Sequence, residues 1–163
     1  MVATRFPSPI GELLIRASDS GLTGVWFPGT GEVAAAPPHD GRGQASGVLA
    51  RTCEQLAEYF AGSRTKFDLP LDPLGTAFQR RVWDALRAIP YGTTLSYSDL
   101  ARRLGDVRAT RAVGAANGRN PIPIIVPCHR VIGANGALTG FGGGLDRKRW
   151  LLEHEGALMM LGG

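Results

Sequence analysis

The segment that most constrains this chain is Pro127-Cys128-His129-Arg130-Val131, which lies between an apolar run and a glycine-rich stretch. The apolar run, Ile122-Pro123-Ile124-Ile125-Val126, predicts a buried segment, and the glycine-rich stretch ends at Gly144. A thiol beside an imidazole at the end of a buried segment is a candidate activated nucleophile. The alternative is a cysteine that packs as a small hydrophobic residue, because most free cysteines do so.

The motifs on either side of the thiol make the nucleophile the better interpretation. Residues 111–131 read RAVGAANGRNPIPIIVPCHRV, with IPYG at 89–92 and Ser96-Tyr97 before them and TGFGGGL at 139–145 and LLEHEG at 151–156 after them. In this order, they closely resemble the O6-alkylguanine-DNA alkyltransferases (methylated-DNA–protein-cysteine methyltransferases). The resemblance is strong from about residue 76 to residue 156 and weaker over the first 75 residues.

The resemblance implies direct DNA repair, in which an alkyl (methyl) group moves from O6-alkylguanine in double-stranded DNA to Cys128. The lesion lies inside the duplex, so its nucleotide must flip out into a pocket. The product is a thioether, so each molecule of this methyltransferase is expected to react once, as a suicide enzyme, and to need no cofactor. The alternative is a non-catalytic alkylated-DNA-binding protein of the same fold, against which Cys128 argues. A transcriptional regulator and a cysteine hydrolase are further alternatives.

The resemblance also implies the catalytic residues. His129 takes the proton of Cys128, and a bridging water is expected because neighbouring side chains of an extended segment point apart. Glu155 orients His129, which gives an arrangement like a hydrolase triad. Asn120 bonds the turn that carries the thiol, with an ordinary turn residue as the alternative. Tyr97 assists rotation of the nucleotide and bonds the base, with core packing as the alternative.

The substrate pocket is expected to recognise guanine and to stabilise the oxygen that leaves. The carbonyls of Cys128 and Val131 are expected to select guanine by accepting from its amino groups. Guanine O6 gains negative charge as it leaves, so a donor is needed, either Tyr97 or a backbone N–H of the loop at 141–144. Relatives often have Tyr and Ser where this chain has Phe141 and Gly142, so two hydroxyl groups are absent. The residues expected to line the pocket are Pro123, Val131, Phe141, Gly142 and Gly143.

Two short helices, at about 96–104 and 109–118, predict a helix-turn-helix with a turn at Gly105-Asp106-Val107. In the second helix, one face is expected to pack inward through Ala109, Ala112, Val113 and Ala116. The other face carries Arg111, Gly114, Ala115 and Gly118. This outer face has almost no long polar side chain, which predicts DNA binding through phosphates and shape with little sequence preference.

The resemblance implies that this helix docks in the minor groove. It also makes Arg111 the arginine finger that fills the stack vacated by the flipped nucleotide, with a phosphate contact as the alternative. The residues predicted to contact DNA are Tyr97, Arg111, Ala112, Gly114, Ala115, Gly118 and Arg119.

The chain is predicted to form two domains. Residues 1–75 predict an α/β N-terminal domain with a small antiparallel sheet, which the resemblance implies is ribonuclease-H-like. Within this domain, residues 28–47 are expected to be mostly loop. A helix is predicted at about 46–61, with Cys53 on its apolar face. Pro70 and Pro73 indicate an extended connection. Residues 76–163 predict a mainly α, winged-helix-like C-terminal domain for DNA binding and alkyl transfer, whose first helix starts at a Thr76–Gln79 capping box.

The charge is unevenly distributed. Residues 1–82 hold eight basic and eight acidic residues, whereas residues 83–163 hold ten and six, so the whole net charge of +4 lies in the half with the thiol. Such asymmetry suits a polyanionic partner such as DNA. The absence of a long apolar run predicts a cytoplasmic protein with no membrane contact. Its histidines and cysteines lack metal-ligand spacing, so no metal is expected, and a monomer is the expected state in solution.

Overall fold

The computed structural model describes residues 1–29 and 41–158. The chain forms two compact units, Met1–Leu74 and Gly75–Gly163. The predicted loop at 28–47 lies largely outside the described residues, as does His39. Within the described ranges, no helix is long and apolar enough to cross a membrane.

The first unit contains the predicted small antiparallel sheet. Its strands are β1 (Val2–Ser8), β2 (Gly11–Ser18) and β3 (Gly21–Trp26), and they pair in the order β1-β2-β3. Helix α1 (Gly43–Phe60) packs against this sheet. A side chain at Gly21 would lie 2.6 Å from the carbonyl oxygen of Pro70, because the connecting segment hydrogen-bonds to the start of β3. Glycine is therefore required where the connection returns to the sheet.

The apolar face of α1 is the face that was predicted. Leu49 and Leu56 are fully buried against the sheet. Cys53 and Phe60, on the same stripe, are only half-buried. Cys53 therefore lies at the margin of the core rather than inside it.

The second unit is mainly helical and contains every residue of the predicted site. In chain order its elements are α2 (Ala77–Arg87), β4 (Leu95–Ser96), α3 (Tyr97–Arg103), a 3-10 turn (Val107–Ala109), α4 (Thr110–Gly118), a second 3-10 turn (Cys128–Arg130), β5 (Val131–Ile132) and α5 (Leu145–His154). The predicted capping box opens α2, since the backbone N–H of Gln79 donates to Thr76 Oγ1 and the backbone N–H of Thr76 donates to Gln79 Oε1.

Trp83 connects helix α2 to helix α4 by a hydrogen bond. Its ring is buried, and its indole N–H donates to the carbonyl of Ala116 on α4 at 2.8 Å. A buried indole needs such an acceptor, because an unsatisfied N–H in the core is costly. Trp83 is therefore a core residue of this unit.

A short parallel pairing joins the helix pair to the cysteine turn. Leu95 pairs with Val131, and Ser96 pairs with Ile132. Tyr97 is the first residue of α3 and directly follows β4, whereas the turn with Cys128 directly precedes β5. The pairing of two strands of only two residues each therefore holds the start of α3 against the segment that follows the thiol turn.

Candidate active site

The thiol lies in a tight turn and not in an extended segment. Cys128–Arg130 is a 3-10 turn, closed by a hydrogen bond from the Arg130 N–H to the carbonyl of Pro127 at 3.0 Å. The prediction of an extended backbone at His129 is therefore wrong, because Pro127 (ψ 64°) bends the chain before the thiol. In a turn, the two neighbouring side chains are not forced to opposite sides.

The loop before the thiol is held by Asn120. Its side-chain N–H donates to the carbonyl of Val126 at 2.8 Å, and its Oδ1 accepts from the N–H of Ile122 at 3.0 Å. Inside this loop, Ile124 is buried and has a φ of 75°, in the left-handed region. A β-branched residue there carries strain of about 1–3 kcal/mol, and such residues cluster at functional sites.

Three buried side chains form a network behind the thiol. Nε2 of His129 lies 2.8 Å from Oε2 of Glu155, at the end of α5. Arg130 donates from Nε to Oε1 of Glu155 at 2.8 Å, from a terminal nitrogen to Oε2 at 3.0 Å, and from its other terminal nitrogen to the carbonyl of Ile89 at 2.7 Å. Glu155 therefore orients the imidazole while its charge is balanced by Arg130.

The electrostatics of this network favour a neutral imidazole. Burial lowers the pKa of His129, against the opposing effect of the Glu155 carboxylate. For Glu155, burial acts to raise the pKa, but the His129 hydrogen bond and the Arg130 ion pair hold it well below its usual range. With Nε2–H donated to the carboxylate, Nδ1 carries the free lone pair, and no described residue bonds it.

Cys128 itself is buried, and burial raises the pKa of its thiol to about 11. A hydrogen bond from Asn120 and the charge of Lys148 act against this rise. The amide of Asn117, on α4, donates to the carbonyl of Cys128 at 3.4 Å. The resting thiol is therefore protonated, and transfer requires a base.

Tyr97 and Lys148 share one acceptor. The hydroxyl of Tyr97 donates to the carbonyl of Thr139 at 3.1 Å, and the ammonium of Lys148 donates to the same carbonyl at 2.6 Å. Lys148 also donates to the carbonyl of Val131 at 2.6 Å, so one lone pair of this expected guanine acceptor is in use. Tyr97 is half-buried and points at the glycine-rich loop rather than into the core.

The helix predicted to contact DNA is exposed over most of the predicted positions. Arg111, Ala112, Ala115, Gly118 and Arg119 are exposed, and Gly114 is half-buried. The prediction that Ala109 and Ala112 pack inward is wrong. The buried residues of α4 are Val113, Ala116 and Asn117, and Ala109 is a half-buried part of the preceding 3-10 turn.

The predicted pocket residues differ in exposure. Pro123, Val131 and Gly143 are buried, Phe141 is half-buried and Gly142 is exposed. At Gly140, which precedes Phe141, an added Cβ would lie 3.5 Å from the hydroxyl of Tyr97. Space alone does not require glycine here, but the φ of 53° at Gly140 lies in the left-handed region that favours it.

The structure adds three polar residues that sequence reasoning did not assign to the site. They are Asn117, Arg130 and Lys148, all of them buried. Nothing in the sequence distinguished these three residues as part of the site. Lys148, for example, lies in the run Asp146-Arg147-Lys148-Arg149, which resembles the solvated start of an ordinary helix. Among the described residues, no cluster of three metal-ligating side chains is present.

Both halves of the chain match known family models. Residues 1–73 match the 6-O-methylguanine DNA methyltransferase, ribonuclease-like domain, and residues 77–157 match the DNA binding domain of the same family. The chain is 51% identical over 148 residues to a methylated-DNA–protein-cysteine methyltransferase of Mycolicibacterium paratuberculosis, covering 91% of this chain and 88% of the relative. A protein of the same name from Methanosarcina acetivorans is 48% identical over 152 residues, covering 93% and 96%.

Solved structures agree with these matches. The crystal structure of Mycobacterium tuberculosis OGT in complex with DNA superposes with a TM-score of 0.87 at 48% identity, over 96% of this chain and 94% of that one. That of Mycobacterium tuberculosis O6-methylguanine methyltransferase superposes with a TM-score of 0.85 at 46% identity, over 98% and 95%. The predicted combination of an α/β unit and a helical unit is confirmed, and the chain belongs to the 6-O-methylguanine DNA methyltransferase family.

Proposed function

We propose that this protein repairs double-stranded DNA by moving an alkyl group from O6-alkylguanine to Cys128 in a single, irreversible turnover. The observation that carries this proposal is the buried Cys128 followed by an imidazole that Glu155 holds at 2.8 Å, with its other ring nitrogen free of described partners. We expect the protein to act as a cytoplasmic monomer, with residues 76–163 as the DNA-binding and alkyl-transfer domain.

The proton of the thiol must be removed before transfer. Glu155 accepts from Nε2–H, so Nδ1 of His129 is the basic atom of the ring. A water molecule between Sγ of Cys128 and Nδ1 would carry the proton to His129. Glu155 stabilises the imidazolium that results, as the acidic member of a catalytic triad does.

The transfer is a displacement at carbon. The thiolate of Cys128 forms a bond to the alkyl carbon as the bond from that carbon to guanine O6 breaks, and the electron pair stays on the base. A hydrogen bond stabilises the negative charge that develops on the departing guanine, and a proton from water then neutralises the base. The hydroxyl of Tyr97, which donates to the carbonyl of Thr139 in this structure, is the candidate donor, together with the N–H groups of the loop at 141–144.

The face of α4 suits the DNA side of this function. Its exposed residues have small side chains except Arg111, so the backbone can approach the duplex closely. Arg111 is the long side chain that can fill the gap left by a flipped nucleotide. Gly114 is half-buried on this helix, and a Cβ there would make an ordinary contact, at 3.7 Å, with the ring of Tyr97.

Mass spectrometry of the intact protein and its peptides tests the proposal. Incubation with duplex DNA containing O6-methylguanine is expected to add one methylene group in mass to the Cys128 peptide, one per molecule, with no further turnover. Repeated turnover without modification would indicate a hydrolase. Unmodified protein that still binds the lesion would indicate the non-catalytic alternative.

The Arg111→Ala variant is expected to slow repair of duplex DNA much more than reaction with free O6-benzylguanine, because only the duplex requires flipping. Rates of alkylation on the two substrates measure this. Arg108→Ala, which removes an exposed positive charge three residues earlier, is the matched control and is expected to weaken DNA binding without this selective loss of rate. Equal slowing of both reactions by Arg111→Ala would contradict the finger assignment.

A further inference from the structure

Thr139 holds the hydroxyl group of Tyr97 through two hydrogen bonds. The Tyr97 hydroxyl donates to the main-chain carbonyl of Thr139 at 3.1 Å, and the side-chain hydroxyl of Thr139 donates to the Tyr97 oxygen at 3.3 Å. A hydroxyl group has one proton to donate and two lone pairs that accept, so both bonds can exist at once. Thr139 therefore fixes both the position of the Tyr97 oxygen and the direction of its proton.

Both residues of this pair are held to the same short strand. Tyr97 directly follows β4, whose two residues pair with β5. Thr139 is joined to β5 by Lys148, whose buried ammonium donates to the carbonyls of Thr139 and Val131, each at 2.6 Å. Val131 is the first residue of β5 and directly follows the thiol turn. The core of this unit therefore fixes Thr139 relative to Tyr97, although Thr139 itself is exposed.

The contacts allow Tyr97 to change its acceptor at little cost. The proposed transfer needs a hydrogen-bond donor at guanine O6 as the base departs, and Tyr97 is a candidate for that donor. To donate to the base, the Tyr97 proton must leave the carbonyl of Thr139. That carbonyl keeps the hydrogen bond from Lys148, so the exchange leaves no acceptor without a donor. The bond from the Thr139 hydroxyl persists, because it uses a lone pair of Tyr97 and not its proton.

The bond that persists also affects how well Tyr97 donates. Hydrogen bonds in a chain strengthen one another, so a hydroxyl group that accepts one becomes a better donor. We infer that Thr139 is a positioning residue of the proposed transfer reaction, whose hydroxyl group holds and polarises the Tyr97 hydroxyl as it donates to the departing guanine. The inference rests on the proposed function, and the effect of Thr139 passes entirely through Tyr97.

Thr139→Val tests the inference, because valine keeps the shape and the carbonyl of the residue but lacks its hydroxyl. The single-turnover rate of transfer from free O6-benzylguanine is expected to fall about three- to tenfold, which is the effect of one neutral hydrogen bond. Thr139→Ser keeps the donor and is expected to keep most of the unmodified rate. Thr93→Val, which removes an exposed hydroxyl bonded to the carbonyl of Pro90, is the matched control and is expected to react at the unmodified rate.

A double-mutant cycle tests whether Thr139 acts through Tyr97. In a Tyr97→Phe background, which has no hydroxyl to polarise, Thr139→Val is expected to have no further effect. The reaction of Cys128 with iodoacetamide, measured on its peptide by mass spectrometry, is a second readout because no guanine departs in it. Thr139→Val is expected to leave that rate unchanged, whereas general damage to the site would slow both reactions.

Three outcomes would overturn the inference. The first is transfer by folded Thr139→Val at the unmodified rate. The second is equal slowing by Thr139→Val with and without the Tyr97 hydroxyl, which would give Thr139 a role independent of Tyr97. The third is equal slowing of the O6-benzylguanine and iodoacetamide reactions. Absence of any transfer by the unmodified protein would instead defeat the proposed function and, with it, the role of Thr139.

Discussion

The Cys128→Ala variant is expected to lose alkyl transfer completely and to keep its affinity for lesion-containing DNA. In the proposed function the sulfur of Cys128 accepts the alkyl group, whereas the proposed DNA-binding face belongs to α4 and carries Arg111. The side chain is small, so its loss is expected to leave the fold intact. Alkyl transfer from O6-methylguanine DNA and equilibrium binding to the same duplex measure the two properties.

Cys53→Ala is the matched control for this experiment. Cys53 is a half-buried thiol on α1, in the other compact unit, and it is expected to be dispensable for transfer. Loss of lesion binding in folded Cys128→Ala would contradict the separation of binding from chemistry. Residual transfer in that variant would mean that another residue accepts the alkyl group.

The Glu155→Gln variant is expected to have the largest effect on stability. The substitution leaves Arg130 as a buried charge without its carboxylate, and removing one partner of a buried ion pair costs about 3–5 kcal/mol. It also removes the charge that stabilises the imidazolium of His129, so transfer is expected to slow strongly. Urea unfolding and single-turnover rates measure the two effects.

Glu153→Gln is the control on the same helix. Glu153 lies 3.7 Å from Arg149 in a partly exposed pair, so its loss is expected to change the free energy of unfolding by no more than about 0.5 kcal/mol. Equal stability losses in the two variants would contradict the special position of Glu155.

The same carboxylate predicts a pH dependence of stability. The pKa of Glu155 is lower in the folded protein than in the unfolded chain, so its contribution is complete above the unfolded value of about 4.3 and is lost as the pH falls below it. The difference in unfolding free energy between the unmodified protein and Glu155→Gln is therefore expected to be largest at neutral pH and to shrink in acid. A constant difference down to about pH 3 would contradict this assignment.

The sequence predicted the parts of the molecule that follow from local pattern. The capping box at Thr76 and the small antiparallel sheet follow from patterns among neighbouring residues, and the structure contains both. The order of the elements and the relation of Cys128 to Glu155 came from the family resemblance. Periodicity alone does not bring together residues that are 27 positions apart.

The sequence-based predictions were wrong or incomplete where contacts with residues distant in sequence determine whether a side chain is buried. Ala112 fits an apolar stripe, but it is exposed because α4 packs through Val113, Ala116 and Asn117 instead. Lys148 lies in a run of charged residues that is typical of a solvated surface. It is buried only because the carbonyls of Val131 and Thr139, which are distant in sequence, accept its hydrogen bonds. Such positions can be recognised only once the chain is folded.

The left-handed backbone of Ile124 limits which residues the loop can accept. Glycine would adopt this conformation freely, but it would leave the buried space of the isoleucine side chain empty. Valine or leucine would fill more of that space and retain the torsional strain. Every replacement is therefore a compromise, and we expect libraries of random variants selected for repair to tolerate little change at this position.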